Sequence, residues 1–349
     1  PTVTMPSNVA RYDFADEAPI GERWVPKLRE KGADVVVVMG HLPGSQDSTH
    51  TVKGELAKVA EGVHGEDVDL GGHSHNLIDG TVDGVPVLIS GSQAKALGRV
   101  DFIVDRQAHK VVESDAKNLE VDTDQIPADK AMASFVDSLF LALRPVAERV
   151  LTDAPEEMVR DRHGESKVGD WVAEAMRRKA GADFAFQNPG GLRADLAPGS
   201  VNVKDVYEIM PFDNRIATVH LTGAQVLEAV ETGVKGDGCV QVAGLRYSFD
   251  RSRPRGERVV KIELTNGQPL DPKATYLVAT NDFMAQGGDG FDVFAQGPDL
   301  KVTENLVRDA LVADCEARAQ RGEKLTIALD GRIQDVTQGS AARVTADTH

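Results

Sequence analysis

The sequence predicts an α/β fold divided into two cores, with a helix-flanked sheet in front and a mixed α/β part behind. At 349 residues, 41% of them hydrophobic, the chain is too long for one ordinary core and suits two domains. Its first third alternates helical and extended apolar spacing, which is typical of a sheet covered by helices. The part after residue 150 mixes both spacings without strict alternation, which favours a second domain.

The first third repeats one plan. Trp24 and Leu28 lie one helical turn apart, and Gly32 follows them as a helix-stop residue. A Val-rich segment then predicts a buried strand, and the same order of helix and strand recurs. The predicted elements are helices at 22–30 and 55–63 and strands at 35–39, 68–70, 85–90 and 100–105.

A long helix is predicted between the two parts. The chain is polar and acidic from Asn118 to Pro127, which indicates a linker. Residues 128–150 then predict one helix, which Pro145 is expected to bend or break. We expect its apolar stripe to pack in a core or between domains. The stripe consists of Met132, Phe135, Leu139, Leu143, Val146 and Val150.

The remaining segments predict further helices and strands. Thr222 precedes an apolar run, and Gln225 follows it by three residues, which is a capping-box pattern at a helix start. The predicted elements are helices at 168–178, 222–231 and 305–319, a helix or turn-rich segment at 201–210, and strands at 245–249, 259–264 and 276–280.

The composition indicates which kinds of binding partner the chain is suited to. A formal charge of −16 would repel phosphate backbones and anionic lipids, so we expect neither nucleic acid nor a membrane surface as the main partner. No apolar stretch approaches the roughly 18–20 residues that span a bilayer. Cys239 and Cys315 form neither a CxxC pair nor a disulfide framework, and no signal peptide is visible. A small anionic ligand remains compatible with a local cluster of cations or metals.

Histidines follow two of the predicted strands. His41 comes after the strand 35–39, and His73 and His75 come after the strand 68–70 behind a Gly-Gly pair. Open α/β sheets build their sites at the carboxyl ends of strands, and we expect the two later histidines to lie in an extended segment that points both the same way. Neutral imidazole suits zinc, manganese, iron or cobalt. The pattern therefore predicts a metal site without naming the metal.

Three loops in the second part carry a ligand-binding pattern. Asn188-Pro-Gly-Gly191-Leu-Arg193 combines a tight turn with a guanidinium that suits phosphate or carboxylate. The run from Thr280 to Phe291 includes Phe283 and places Asp289 in a glycine turn, and Pro211 to Asn214 includes Phe212. Two aromatic rings beside an Arg and an Asp could hold a flat base, a sugar and a phosphate. For either ring taken alone, simple core packing is the favoured interpretation.

Taken in order, these motifs resemble the bacterial 5′-nucleotidase family, which includes UDP-sugar hydrolases and 2′,3′-cyclic-nucleotide phosphodiesterases. The landmarks are NPGGLRADL, DVYEIMPFDN, GLRYSFD, TNDFMAQGGDGF and the closing GRI at 331–333. The resemblance implies a calcineurin-like metallophosphoesterase domain, here a partial β-sandwich with flanking helices, followed by a 5′-nucleotidase C-terminal domain. The implied boundaries are 1–122 for the C-terminal half of the first domain, 123–150 for the linker and connecting helix, 151–336 for the substrate-binding domain and 337–349 for a flexible tail.

The resemblance also implies roles for the substrate-binding residues. Phe212 and Phe283 would stack on the base, and Asp289 would accept hydrogen bonds from the ribose hydroxyls. Asn188 would contact the base or a nearby group, with Gly191 in the same loop. Arg193 would hold phosphate, and of the arginines before Glu165 the resemblance favours Arg162 for a further phosphate contact.

For the metal centre, the resemblance implies two divalent ions, of zinc, manganese, cobalt or iron. His41 and His73 would share one ion and His75 would bind the other. The family's remaining ligands and its catalytic histidine are expected upstream of Pro1, so the given chain would supply no catalytic residue and would hold metal weakly, one ion at most. We therefore expect the chain alone to be inactive.

The resemblance predicts metal-dependent hydrolysis of nucleotide phosphoesters to nucleoside and phosphate by a bridging hydroxide. It also implies a role in nucleotide catabolism and a secreted, cell-wall or periplasmic location. Two alternatives stay open, a catalytically silent nucleoside-binding or nucleotide-binding module and a thiosulfohydrolase of the same fold. The paired rings of Phe212 and Phe283 favour a base over the second alternative. The sequence leaves the base, the phosphate chain and the oligomeric state open.

Overall fold

The computed structural model describes Thr4 and residues 6–337, which form the mixed α/β protein that the sequence predicts. The chain divides into two compact units. One runs from Asp13 to Asp137, and the other comprises residues up to Tyr12 and from Ser138 on. A short helix, α1 (Pro6–Val9), comes first in the chain. Of the predicted tail, 337–349, only Thr337 lies among the described residues.

The unit from Asp13 to Asp137 contains two helices and a set of short strands, among the described residues, before a longer hairpin. In chain order its elements are α2 (Glu17–Glu30), β1 (Val37–Met39), β2 (Gly44–Gln46), β3 (Val52–Gly54), α3 (Glu55–Gly62), β4 (Val68–Leu70), β5 (Leu77–Val82), β6 (Val85–Ser90), β7 (Ala96–Asp105) and β8 (Lys110–Glu120).

A four-stranded sheet in the order β1-β4-β6-β5 organises this unit. The strands β1, β4 and β6 are parallel, and β5 is antiparallel to β6. Helix α3 buries Leu56 and Val59, which are three residues apart, and these side chains share one core with Ile78 and Ile89 of the sheet. Because β1 and β4 are parallel neighbours, the loops after them leave the sheet at the same edge.

The long helix α4 (Lys130–Ala147) runs from one unit into the other. No residue of α4 is buried, so the expectation that its apolar stripe packs into a core is wrong for the described residues. The final predicted position, Val150, belongs to a strand instead. None of the helices in the described part of the chain is long and apolar enough to cross a membrane.

The other unit contains the remaining elements. In chain order they are β9 (Val150–Ala154), α5 (Lys167–Ala180), β10 (Phe184–Gln187), β11 (Gly199–Asn202), α6 (Val203–Ile209), β12 (Arg215–Thr222), α7 (Gly223–Gly233), β13 (Gln241–Ala243), β14 (Leu245–Phe249), β15 (Val259–Leu264), β16 (Thr275–Asn281), α8 (Asp282–Ala285), α9 (Asp292–Ala295), β17 (Lys301–Leu306), α10 (Val307–Gln320) and β18 (Ile333–Asp335).

A five-stranded sheet in the order β13-β10-β16-β12-β17 lies at the centre of this unit. The strands β10 and β16 are parallel, and the other neighbours are antiparallel. One core forms around Trp171 of α5 and Leu311 of α10, and a second forms around Phe186, Phe249 and Phe294. Both helices therefore cover the sheet with apolar side chains.

The sequence predicted several elements closely and missed others. The capping box at Thr222 is present, with its hydroxyl accepting from Gln225 N and α7 following directly. The strands predicted at 245–249 and 259–264 match β14 and β15. The segment 201–210 divides into the end of β11 and α6. The strands β5, β8, β12 and β17 had no predicted counterpart.

Candidate functional site

The three predicted ligand loops lie at one edge of the five-stranded sheet. Strands β10 and β16 are parallel, so residues 188–193 and 282–290 follow their carboxyl ends at the same edge. Strand β12 is antiparallel to β16, with Ile216 opposite Asn281, so residues 211–214 enter β12 from that edge too. The topology thus gathers three motifs that are far apart in sequence.

Asn188 and Asp289 are joined directly. Asn188 is 4% exposed, and its Nδ2 donates a 2.7 Å hydrogen bond to Asp289 Oδ2. Its Oδ1 accepts from Gln187 Nε2 at 3.1 Å and from Asn281 Nδ2 at 3.0 Å. These two donors fix the orientation of the Asn188 amide, because only its oxygen can accept from both. The NH₂ group therefore faces Asp289, whose carboxylate is exposed.

The turn after Asn188 requires glycine at position 191. A Cβ at Gly191 would lie 2.4 Å from Gln187 Nε2 and 3.0 Å from Asn188 Oδ1. Both distances are shorter than ordinary van der Waals contact, so a larger residue would push apart the two amides that orient Asn188. The absence of a side chain at Gly191 therefore lets the amides of Gln187 and Asn188 stay in contact.

A cluster of arginines lies in and before the same loop. Arg193 Nη1 donates to Gly190 O at 3.2 Å, and Arg193 N donates to Ile209 O at 2.9 Å. Burial, and then the neighbouring charges of Arg160 and Arg162, lower the pKa of the Arg193 guanidinium from its usual value. The guanidinium stays charged, since arginine does not lose its proton in proteins. The mutual repulsion identifies a locally positive region, which would attract an anion to an otherwise acidic chain.

The two candidate stacking rings differ in their environment. Phe212 is 46% exposed in the loop before β12, so it does not plug the core. Phe283 of α8 is partly buried and packs against the second core, and a Cβ at Gly288 would come within 2.6 Å of its ring. Core packing therefore explains the partial burial of Phe283, but it does not explain why Phe212 is where it is. Exposed aromatic rings beside polar groups suit a flat ligand.

The histidines of the other unit form a pair. His41 follows β1 and His73 follows β4, and their ring nitrogens Nε2 and Nδ1 are 3.0 Å apart. The ring planes are 75° apart with centroids 5.0 Å from each other. At that distance one nitrogen carries the proton that the other accepts, when nothing else lies between them.

The expectation that His73 and His75 lie in an extended segment is wrong. Their φ angles are 65° and 59°, in the left-handed region. The strand β4 ends at Leu70, and the turn after it is closed by a 2.7 Å hydrogen bond from Ser74 N to Gly72 O. Alternation of side chains does not continue past the last strand residue, so His75 is directed by the turn instead.

The histidine pair fits part of a metal site. Two nitrogens on one tetrahedral zinc, each about 2.0–2.1 Å from it, lie about 3.3 Å apart, close to the spacing between His41 and His73. His75 does not join them: across Thr4 and residues 6–337, no third His, Cys, Asp or Glu ligand atom lies within 4.8 Å of both nitrogens. The described residues therefore bring together two ligands for one ion.

A group of three carboxylates around the buried Asp170 was not predicted from the sequence. In the described part of the chain, Glu165, Asp170 and Asp330 form the one group of three ligand atoms within 4.8 Å of one another. Asp170 lies in α5 and is 1% exposed, and neither of its oxygens accepts a hydrogen bond. Burial raises the pKa of Asp170 to about 8, although Arg332 Nε lies 3.4 Å from Oδ1 and opposes the shift. A carboxyl group with this pKa is protonated at neutral pH.

This carboxylate group is separate from the predicted ligand residues. A cavity of about 450 Å³ borders Asp170, Asp330 and Arg332, and none of the seven predicted substrate-binding residues lines it. Arg332 also contacts Asp330, with Nε 2.9 Å from Oδ1. With Asp170 protonated and neutral, the charge of Arg332 is balanced by Asp330. The one sequence feature that could have indicated this group is Asp170, a single acidic residue on an otherwise apolar helix face.

Comparison with known proteins supports the predicted family. Residues 148–296 match the family model of the 5′-nucleotidase C-terminal domain. The trifunctional nucleotide phosphoesterase protein YfkN of Bacillus subtilis is 31% identical over 96% of this chain and 24% of its own length. The 5′-nucleotidase of Vibrio cholerae is 24% identical over 84% of this chain and 60% of its own length.

Solved structures agree with this relationship. The 5′-nucleotidase precursor from Thermus thermophilus superposes with a TM-score of 0.80 and 28% identity, over 92% of this chain and 68% of that chain. The fold is that of a mixed α/β protein in which three loops gather at the same end of neighbouring strands. Residues 148–296 therefore carry a 5′-nucleotidase C-terminal domain, and the chain as a whole is similar to 5′-nucleotidases.

The matches cover only part of the length of the first curated relatives. The chain spans less than half of the length of the first curated relatives that it matches. The sulfate thiohydrolase SoxB of Thermus thermophilus superposes with a TM-score of 0.71 over 93% of this chain at 20% identity. At that identity the similarity concerns the fold alone.

Proposed function

We propose that this chain provides the nucleotide-binding domain of a 5′-nucleotidase-type phosphoester hydrolase. The observation that carries the proposal is the joining of Asn188 to Asp289 at a sheet edge that also presents Arg193 and the exposed ring of Phe212. A nucleotide has a flat base, a sugar with paired hydroxyls and a phosphate. The edge offers one group of matching chemistry for each of them.

The proposed contacts follow from the chemistry of each group. Phe212 stacks on the base, with Phe283 on the other side. Asp289 accepts from the ribose hydroxyls, because a carboxylate accepts two hydrogen bonds from neighbouring donors. Arg193 and Arg162 hold the phosphate, which fits the positive region around them. Names of relatives such as the nucleotide phosphoesterase of Bacillus subtilis support a nucleotide over other flat ligands.

A divalent metal centre would supply the hydrolytic step in this proposal, by activating a water and neutralising phosphoryl charge. His41 and His73 would share one ion, and His75 would contribute to the other. The described residues bring only His41 and His73 together, so further ligands are needed before either ion is held tightly. Metal identity among zinc, manganese, cobalt and iron is not distinguished by imidazole ligands.

Calorimetric titration of the chain with adenosine and with inorganic phosphate tests the binding part. We expect Phe212→Ala to weaken adenosine binding by roughly tenfold, since stacking of one base contributes about 1–3 kcal/mol, and to leave phosphate binding unchanged. Arg193→Gln should give the reverse pattern. Phe14→Ala removes another exposed ring, in the other unit, and serves as the matched control. Absence of adenosine binding at millimolar concentration would contradict the proposal.

A second candidate is a catalytically silent nucleoside-binding module. The observation that favours it is that only two imidazole nitrogens converge among the described residues. Phosphate release from adenosine monophosphate, with Mn²⁺ or Zn²⁺ added to the purified chain, separates the two candidates. Metal-dependent release that is lost in His41→Ala would favour the hydrolase, whereas nucleoside binding without release would favour the binding module.

The thiosulfohydrolase alternative predicts a different ligand preference. Its support is the shared fold with SoxB, which is fold evidence alone. A thiosulfate-like substrate has no flat ring, so it would not use the exposed face of Phe212. Thiosulfate that competes with adenosine, with an affinity unaffected by Phe212→Ala, would favour this alternative.

We also propose an extracellular or cell-wall location. The support is a cell wall protein of Listeria monocytogenes that is 25% identical over 98% of this chain and 49% of its own length. Immunodetection in fractionated cells of the source organism tests the proposal. Confinement of the protein to the cytosolic fraction would contradict it.

A further inference from the structure

Arg308 is a buried arginine whose side-chain hydrogen bonds go to one loop. It is the second residue of α10 and is 4% exposed. Its Nη1 donates to Met210 O at 3.1 Å and to Phe212 O at 3.0 Å. Its Nη2 donates to the carboxylate of Asp213. One guanidinium thus holds three positions within four consecutive residues.

The same guanidinium also contacts the helix that leads into this loop. Its Cζ lies 4.1 Å from the ring centroid of Tyr207 in α6, which is a cation–π contact. Just before it, Val307 N donates to Asn214 O at 2.9 Å. The start of α10 therefore fixes the loop from its entry at Tyr207 to its exit at Asn214. We call residues 210–214 the Phe212 loop.

Two features of the Phe212 loop make this support necessary. Pro211 has no N–H and so cannot close the loop by a hydrogen bond of its own, and the carbonyls before and after it are the two that Arg308 binds. The Phe212 side chain is about half exposed, so core packing does not hold its ring. The ring is therefore carried by a loop backbone that Arg308 contacts on both sides of Pro211.

The charge balance of Arg308 supports the same conclusion. A buried guanidinium is costly unless it is paired and hydrogen-bonded. Its ion-pair partner, Asp213, is 82% exposed on its side chain, so the pair lies at the surface end of the contact and does not stabilise a core. A lysine could not replace the arginine, because one ammonium cannot bind two carbonyls and a carboxylate in the planar arrangement that a guanidinium offers.

We propose that Arg308 is a positioning residue that holds the Phe212 ring in place for stacking on the base. This rests on the proposed nucleotide site and adds a residue to it that touches no ligand. Arg308 acts only through the Phe212 loop. Its loss therefore lowers affinity for the base-containing part of a ligand and leaves the phosphate contacts of Arg193 intact.

The binding test compares matched arginine-to-lysine variants of the full chain. We expect Arg308→Lys to weaken adenosine binding about tenfold, comparable to loss of the stacking ring, and to leave binding of inorganic phosphate unchanged. Arg318→Lys is the control, because Arg318 lies on the same helix, is also largely buried and pairs with Asp314 away from the loop. It should change neither affinity.

A double-mutant cycle shows whether Arg308 acts through Phe212. In a Phe212→Ala background, Arg308→Lys should change adenosine affinity less than twofold, since the ring that it positions is gone. An equal loss in both backgrounds, or no loss in the wild-type background, would overturn the proposal. Asp213→Asn, at an exposed position that does not threaten folding, should give a smaller loss in the same direction.

A measurement without ligand tests the role of Arg308 independently of whether the chain binds a nucleotide. In chain labelled with 4-fluorophenylalanine, the ¹⁹F resonance of Phe212, assigned by Phe212→Leu, should shift or broaden in Arg308→Lys and stay unchanged in Arg318→Lys. If wild-type chain binds no adenosine, the proposed function fails while this signal still decides the role of Arg308. An unchanged Phe212 resonance in Arg308→Lys would refute the positioning role.

Discussion

Asn188 Nδ2 donates a 2.7 Å hydrogen bond to Asp289 Oδ2, which joins two loops that are 101 residues apart in the chain. The bond orients the two polar groups relative to each other. Asn281 donates to Asn188 Oδ1 and caps α8 by accepting from Met284 N. The Asp289 turn, the Asn188 loop and the helix that carries Phe283 are therefore connected through buried amides.

Replacement of Asn188 by Asp tests this connection. The new carboxylate cannot donate to Asp289 and would place two like charges in contact. We expect adenosine affinity to fall by roughly tenfold or more, because a hydrogen bond to a charged group contributes about 1.5–3 kcal/mol. Asn266→Asp, in an exposed turn, is the control for the added charge. Wild-type affinity in Asn188→Asp, measured by calorimetry, would show that the bond has no role in binding.

Replacement of Gly191 by Ala tests the space beside the buried amides. The added methyl would lie 2.4 Å from Gln187 Nε2, so the chain should lose about 1–3 kcal/mol of stability through overpacking. Gly190→Ala is a matched control, because its nearest neighbour would be Asn188 Nδ2 at 3.8 Å, an ordinary contact. Urea denaturation measures both. Equal midpoints for the two variants would mean that the loop relaxes freely around position 191.

The sequence predicted the elements whose signals are local. Thr222 and Gln225 identify the start of α7 because the capping box needs only four residues. Strands β14 and β15 have the predicted bounds, and β14 also alternates between buried and partly buried positions. Strands β8 and β12 were missed because their formation depends on pairing with β7 and β16, which local spacing does not encode.

In the candidate site, too, the residues with local motifs were predicted, and the features that depend on long-range pairing were not. Motif chemistry indicated Asn188, Phe212 and Asp289, but their convergence depends on the pairing of β16 with both β10 and β12. Arg308 lies 96 residues after Phe212 and has no local signal at all. The turn at His73 and His75 was missed because period-two alternation was extended beyond the end of β4.

Removal of one histidine of the pair tests the partial metal site. The ring nitrogens of His41 and His73 are 3.0 Å apart, a spacing that suits two ligands of one ion, so His41→Ala should abolish binding of one Co²⁺ ion. Co²⁺ absorption in the visible range reports nitrogen ligation directly. His50→Ala removes an exposed histidine outside the pair and should leave the spectrum unchanged. Retention of the Co²⁺ signal in His41→Ala would place the ion elsewhere.

The buried carboxyl of Asp170 gives a prediction about pH. Its pKa is raised from 3.8 to about 8, chiefly by burial, so between about pH 4 and pH 8 the folded chain holds a proton that the unfolded chain has released. Raising the pH therefore removes stability across that window, with a slope of at most about 1.4 kcal/mol per pH unit for one proton. Asp170→Asn carries no such proton and lacks this slope.

The fluorescence of Trp171 reports unfolding of the unit that contains Asp170. Trp171 lies beside Asp170 and is buried, whereas Trp24, the other tryptophan, is exposed in the unit from Asp13 to Asp137. In a Trp24→Phe background, urea denaturation followed by fluorescence should show Asp170→Asn close to its parent at pH 5 and more stable at pH 8. Asp137→Asn, at an exposed carboxylate, should follow the parent at both. A parallel pH dependence of Asp170→Asn and its parent would mean that Asp170 titrates near its ordinary pKa when folded, with Arg332 outweighing the burial.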